Sequence, residues 1–398
     1  MTQAEDVRRL NERLAGHQGP LLSVYLSVNA RYSENQGQAY KVRLKDALQE
    51  MEVPEDLAGR VRESVEEEVR PRARSLIFFV APDGFFERYD LQVDLPEAFR
   101  FGEPYVAPLV LAVDEHERYG VAIVEAEEFR FFVSELVIIP EEGRGAAPES
   151  GFFREVDIKP HGMYPVSGGS TDMDPAGRTQ QTNLRRFFKE AGELTRKLMF
   201  QDNVRHLIIA GPKERTVVFR GELPQEVKDK VIAEENILAE VPEKGFFDRL
   251  EAVHERAENE RKADLIAQAR ENGVRGVRDT IEALQEGRVY HVVSLWQIEG
   301  EIRWCDHDEL AIADISAEEC PFCGRQTRVR PLMDVLVDLA AARGARLEFV
   351  RTHDEVAETP NEDMRREPDP EDPATVMRQE FEGLVGLLRY SLTEPEQP

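Results

Sequence analysis

Apolar positions along this chain fall into dense short runs, helical stripes and long sparse stretches, and each pattern predicts a different element. The runs LLSVYLSV at 21–28 and LIFFVA at 76–81 have strand length and strand composition. Between them lies a charged, periodic stretch from about Gln38 to Val69, broken near Pro54, where proline cannot continue a helix. This first part reads as an α/β domain over residues 1–104. Next come YVAPLVLAVD and YGVAIVEAEEFRFFVSELVIIP, rich in β-branched and aromatic residues and separated by an acidic, turn-like tract, which predict consecutive strands. From Glu141 to Thr182 the chain is rich in Gly, Pro, Ser and Asp and reads as long exposed loops.

The sharpest helical pattern is NLRRFFKEAGELTRKLM at 183–199. Leu184, Phe187, Phe188, Ala191, Leu194 and Leu198 form one apolar stripe. The strand VRHLIIAG, a loop and the helix-like LPQEVKDKVIAEENILAEV complete a central domain over 105–255, with a tip loop at 160–182. A helical stretch from about Phe247 to Ala269 leads into a third domain at 256–355. There GVRGVRDTIEALQEGRVYHVVSL predicts helix then strand, and DVLVDLAAARGARLEFV at 334–350 repeats that order, as in a small α/β/α sandwich. Residues 356–398 are acidic and proline-rich and read as a mostly disordered tail. Within it Met377, Phe381, Leu384, Val385 and Leu388 keep helical spacing, suggesting a short helix that packs back on the body.

No apolar run approaches bilayer length and the N-terminus MTQAEDVRRLNERL has no signal core, so the expectation is a soluble cytoplasmic protein without a membrane partner. A net charge of −27 argues against a protein that coats DNA or other nucleic acid indiscriminately. Any RNA contact has to be local. Arg178, Arg185, Arg186, Lys189, Arg196 and Lys197 provide one such locality, since only two acids accompany these six bases between 177 and 197. A basic helix carrying a Gly- and Gln-containing loop can be held against folded RNA by its phosphates. The same residues also describe an amphipathic helix whose outer side is merely basic, and both readings stay open.

Cys320-Pro-Phe-Cys323-Gly has the form of a zinc knuckle, in which glycine permits the turn that aims two thiolates at one metal. Cys305 and His307, before a 12-residue interval, are the expected remaining ligands, imidazole suiting a thiolate zinc site better than a carboxylate. A knuckle that has lost its metal is the alternative. No phosphate-binding, dinucleotide, nucleophile-elbow or His-Glu-x-x-His motif occurs, and the single histidines His161 and His206 read as structural.

GRTQQTNLRR resembles the Gly-Arg-Gly-Gly-Gln-Ser-Ala-Leu-Arg-Phe element of the archaeal and eukaryotic peptide-release factors, the superfamily that includes Pelota. Gly177 and Arg178 fall on its Gly-Arg, Gln181 on its glutamine, Leu184 and Arg185 on its Leu-Arg. YGVAIVEAEEF, HLIIAGP, GVRDTIEALQEGRVYHVVSL and ARGARLEFV resemble further pieces in the same order, over roughly 105–350. The likeness is closest to the bacterial release-factor-like proteins, to which the hibernation factor Balon is also related.

The resemblance implies a three-domain α/β architecture whose third domain is like kink-turn-binding ribosomal proteins and carries the zinc knuckle. It implies a factor in the A site of the 70S ribosome, touching ribosomal RNA through Gly177, Arg178, Gln180, Gln181, Arg185, Arg186 and Lys189, with a GTPase, elongation factor Tu in Balon-like members, as a further partner. Thr179 and Gln180 stand where the family has two glycines, which permit positive φ and close backbone approach. Relatives also have a cysteine where Asp308 stands. The expectation is therefore hibernation or rescue without peptide release. An active peptidyl-tRNA hydrolase using Gln181, or an acidic interaction module that has left the ribosome, are the alternatives.

Overall fold

A computed structural model describes residues 4–134 apart from 18, 31, 68, 70–72, 126 and 127, then 153–156, 175–236, 243–351 apart from 297, and 372–389. Where the sequence suggests three consecutive domains, the chain divides into two compact units, one formed by His116–Glu258 and the other by Ala4–Glu115 together with residues from Asn259 on. Among the described residues no helix is long and apolar enough to cross a membrane.

The larger unit begins with α1 (Ala4–Ala15), β1 (Leu21–Ser27), α2 (Tyr40–Glu50), α3 (Glu55–Glu67), β2 (Ser75–Val80), β3 (Phe86–Leu91), β4 (Ala98–Gly102) and α4 (Ala107–Glu115). The strands form one antiparallel sheet in the order β3-β2-β1-β4. β1 and β2 are buried along their whole length, as their uninterrupted apolar runs require. Pro54 separates α2 from α3 as expected, and Leu57 and Ala58 donate back to its carbonyl. YVAPLVLAVD is not a strand: its core is α4. Pro108 is tolerated in the first helical turn, and a short apolar run has no periodicity to distinguish a strand from a helix buried on most sides.

The smaller unit holds β5 (Tyr119–Val124), β6 (Phe129–Ser134), β7 (Phe153–Glu155), α5 (Pro175–Gln201), β8 (His206–Ala210), α6 (Lys213–Glu222), α7 (Gln225–Lys228) and β9 (Val231–Glu235), followed by the start of α8 (Glu243–Asn272). Its sheet runs β7-β6-β5-β8-β9, with β5 and β6 an antiparallel hairpin and β5, β8 and β9 parallel. Phe188, Ala191 and Leu198 of α5 pack with Phe131, Leu207, Ile209 and Phe219 in its core. Two expectations fail here. The segment after β8, read as a loop, is α6, and VIAEE, read as helical, is β9, its β-branched residues drawn onto the open edge of β8. Gly211 has φ +145°, and a Cβ there would lie 2.3 Å from the carbonyl oxygen of Val124, so the β8–α6 turn requires glycine.

The larger unit resumes with the end of α8, β10 (Gly273–Arg275), α9 (Gly276–Gln285), β11 (Val289–Leu295), β12 (Glu301–Cys305), β13 (Leu310–Ile312), β14 (Arg328–Pro331), α10 (Leu332–Arg343), β15 (Arg346–Val350), α11 (Pro373–Phe381) and β16 (Leu384–Leu388). Its sheet, β10-β16-β11-β15, is covered on both faces. Ile281, Leu284, Leu336 and Leu339 of α9 and α10 pack on Val289, Val292 and Leu384. Ile266, Ala269, Met377 and Phe381 of α8 and α11 pack with Val293, Val385 and Leu387. This is the expected α/β/α sandwich, but it is closed by the segment read as a tail. Glu382 and Gly383, both at positive φ, stop α11, and the chain then enters the sheet between β10 and β11. Gly386 is needed there because a Cβ would lie 2.9 Å from a Val289 methyl. Residues 356–371 lie outside the described residues.

A polar seam joins the two parts of this unit. Arg100 pairs with Asp334 at 2.6 Å, Arg330 with Glu103 at 3.2 Å and Arg351 with Glu115 at 2.6 Å, while Asn11 donates to Asp338 at 3.0 Å. At its centre Glu348 of β15, 1% exposed, accepts from His291 at 3.0 Å and from Arg261 at 2.8 Å.

Candidate functional site

The three cysteines meet on the small sheet β13-β12-β14. Cys305 ends β12, opposite Leu310 of β13. The turn between these strands carries Asp308 toward a loop in which Cys320 accepts a hydrogen bond from the Gly324 amide at 2.9 Å and its own amide donates to Arg325 at 2.7 Å. Gly324, at φ +71°, makes that turn possible and brings Cys323 back beside Cys320.

One ligand atom from each of Cys305, Asp308, Cys320 and Cys323 lies within 4.8 Å of every other. The Cys305 and Cys323 sulfurs are 3.6 Å apart, and Asp308 Oδ2 is 3.1 Å from the Cys320 sulfur. A tetrahedral ion with metal–sulfur bonds of about 2.3 Å spaces its sulfurs only slightly wider, so the donor set and its spacing can hold a metal ion. His307, the expected fourth ligand, stands outside: it is 46% exposed and its Nδ1 is 2.8 Å from Asp308 Oδ1. The reason is local geometry. The residue three positions after Cys305 turns back toward it, as the second member of a Cys-x-x-Cys would, while its neighbour faces out. His307 then backs the carboxylate from the outer side, as a second layer of hydrogen bonding does around a metal site.

Electrostatics inside the metal-free cluster reflect the competition for protons. The Asp308 amide lowers the Cys305 thiol, and the Asp308 carboxylate pushes the Cys323 thiol up to about 12. In return hydrogen bonds from Cys323, Cys320 and His307 hold Asp308 below the usual carboxylate range. A divalent cation reverses this order, because it displaces the thiol protons.

The second group of expected residues lies on α5. Residues 160–174 of the expected tip loop, His161 among them, lie outside the described residues. From Pro175 the backbone is already helical, so Gly177, Arg178, Gln180 and Gln181 occupy the first two turns of α5 rather than a loop. Proline is well suited to a helix start, and Thr179 and Gln180 continue the helix without the cost of about 1 kcal/mol that a glycine would carry at each position. Arg185, Arg186, Lys189, Arg196 and Lys197 are all exposed. Arg186 pairs with Glu190, and Arg196 with Glu193 and Glu226. Arg185, Lys189 and Lys197 make no ion pair among the described residues. His206 Nε2 lies 3.2 Å from Glu117 Oε2. From the sequence Asp308, three positions after Cys305, ranked below His307 as the fourth ligand, and nothing marked Phe200, which is 88% exposed at the end of α5.

Residues 104–262 match the bacterial archaeo-eukaryotic release factor family 10. No curated protein matches the chain. Similar solved structures include the archaeal translation termination factor aRF1, at 15% identity and TM-score 0.25 over 98% of each chain. The Thermoplasma acidophilum Pelota protein is similar at 14% identity and TM-score 0.25, over 98% of this chain and 95% of that one. S. cerevisiae Dom34, a translation termination-like factor, is similar at 9% identity and TM-score 0.38, over 81% of this chain and 87% of that one. The match to family 10 spans residues 104–262, and so covers His116–Glu258, the stretch that carries α5.

Proposed function

We propose that this chain is a ribosome-binding translation factor that occupies the A site of the 70S ribosome in hibernation or rescue without releasing peptide. The observation that carries the reading is α5. In a stretch that matches a release-factor-like family, its basic face supports contact with ribosomal RNA, while Thr179 and Gln180 in its first turns, where the resemblance puts two glycines, favour binding without release. Arg178, Arg185, Arg186 and Lys189 are the proposed phosphate contacts, and Gly177, Gln180 and Gln181 the residues nearest the peptidyl-transferase centre. Hydrolysis requires a water held at the ester carbonyl, and a misplacement of about 1 Å costs on the order of a hundredfold in rate. A helical backbone with threonine and glutamine in place of two glycines favours binding without that placement.

Cys305, Asp308, Cys320 and Cys323 are the proposed seat of a structural zinc ion, three thiolates and a closed four-donor set being suited to it. Bound there, zinc would tie the β12–β13 turn to the Cys320–Cys323 loop and so contribute to folding. Elongation factor Tu as a further partner rests on the sequence resemblance alone, and the cytoplasm is the compartment this function requires.

The test is one assay on ribosomes carrying labelled peptidyl-tRNA in the P site and an empty A site. Stoichiometric binding with background peptide release is expected. Release that disappears in Gln181→Ala would show an active hydrolase instead, and failure to bind at any salt concentration would remove the ribosome from the account.

A further inference from the structure

We propose that Phe200 is a stacking platform for an unpaired RNA base, placed at the far end of the basic stripe of α5. The inference rests on the ribosome-binding reading and adds to it a recognition element that the basic residues cannot supply. At about 100° per residue, Arg185, Lys189, Arg196 and Phe200 fall within about 60° of one another around the helix, along a line of about 22 Å. The aromatic ring therefore continues the row of cations. The exposure of Phe200 is fixed by the helix and not by fraying. Its neighbours Leu198 and Met199 are buried in the core of the unit, which turns position 200 outward. Beyond it the chain is pinned by Val204 donating to the Met199 carbonyl at 2.8 Å and by Arg118 donating to the Asp202 carbonyl at 3.0 Å.

An apolar ring presented this way serves no packing among the described residues, and its surroundings select the ligand. Six basic and two acidic side chains on α5, in a chain of net charge −27, favour a polyanion over a protein surface. Lys197 and Arg196, on the turn before Phe200, are placed to take the phosphate of the nucleotide whose base meets the ring, with Arg196 also shared by Glu193 and Glu226. Base faces are hidden within a duplex, so stacking requires a base that is flipped out or in a loop. Such stacking accepts any base, because each has a π face.

The test uses the full chain and 70S ribosomes, comparing Phe200→Leu, Phe200→Trp and the double variant Arg185→Glu/Lys189→Glu across a salt series. Phe200→Leu is expected to weaken binding about fivefold to a hundredfold with an unchanged salt slope, and Phe200→Trp to retain it. The double variant is expected to weaken binding and flatten the slope. A photo-crosslinker at position 200 should label ribosomal RNA. Labelling of a ribosomal protein, or a lowered melting temperature of free Phe200→Leu protein, would overturn the proposal by giving the ring another neighbour. If Phe200→Leu binds like the parent while the double variant does not, stacking fails and RNA contact stands. If no variant changes binding, the ribosome reading of α5 fails with it.

Discussion

Replacing Glu348 with glutamine tests whether the centre of the polar seam is held by charge. The carboxylate is 1% exposed, and its Oε2 accepts from both His291 and Arg261, while its Oε1 has no hydrogen-bond partner among the described residues. Glutamine preserves the shape but removes the negative charge that faces the Arg261 guanidinium and His291. Removing one partner of a buried ion pair typically costs 3–5 kcal/mol. Arg261 is 26% exposed and can recover some hydration, so the low end, about 3 kcal/mol, is the expected loss. For a body of this size that lowers the melting temperature by roughly 6–12 °C. The effect also has a pH signature. Burial pushes the Glu348 carboxyl up, but the hydrogen bond from His291 and the charges of Arg261 and Lys262 outweigh it and leave the group below its ordinary 4.5. A depressed carboxylate contributes stability that is complete above its unfolded pKa and lost as pH falls through its folded one. Urea unfolding followed by circular dichroism should therefore show the largest gap between parent and variant near neutrality, closing below about pH 4.5. A difference under about 1 kcal/mol at pH 7, or a gap that widens in acid, would refute the reasoning.

Asp114, whose carboxylate accepts from the Phe349 amide at 3.1 Å, carries the opposite sign. Its packing away from water, then the charge of Glu348, raises its carboxyl well above the ordinary 3.8. Stability from such a group is complete below the unfolded pKa and lost as pH rises through the folded one. Asp114→Asn keeps the acceptor without the charge, so it should stabilise the protein at neutral pH and give no advantage in acid; equal effects at both, read by thermal unfolding, would contradict this. Elemental analysis of freshly purified protein should find one metal ion per chain, with occupancy collapsing in Asp308→Ala. His307→Ala should keep that stoichiometry and lose about 10- to 100-fold in affinity, since it removes only the support behind a ligand.

What could be read from the sequence was whatever had a period. α5 shows its apolar stripe in plain order, and Phe188, Ala191 and Leu198 are buried as that stripe requires. The helix–strand order of α9–β11 and α10–β15 was equally visible. α4 was hidden because a helix buried on most sides has no polar face to mark its turns. β9 was hidden because its neighbours alternate like a helix and only the edge of β8 decides otherwise. At the cysteine cluster, residue type argued for His307, but the direction of a tight turn brings Asp308 to the thiols instead. That direction is a property of backbone geometry, which composition does not record.

The position of β16 has a consequence for how this protein is made. Its register couples Val385 to Val293 of β11 and to Arg275 of β10, residues synthesised about a hundred positions earlier. Until the last strand emerges, β10 and β11 each present an open edge, the kind of surface that pairs with other chains. Closing so long a loop is also slow relative to local pairing. The sandwich is therefore completed only when translation has passed Leu388, and a product cut short upstream of Leu384 lacks the middle of its sheet and is exposed to aggregation and degradation instead of accumulating as a truncated competitor.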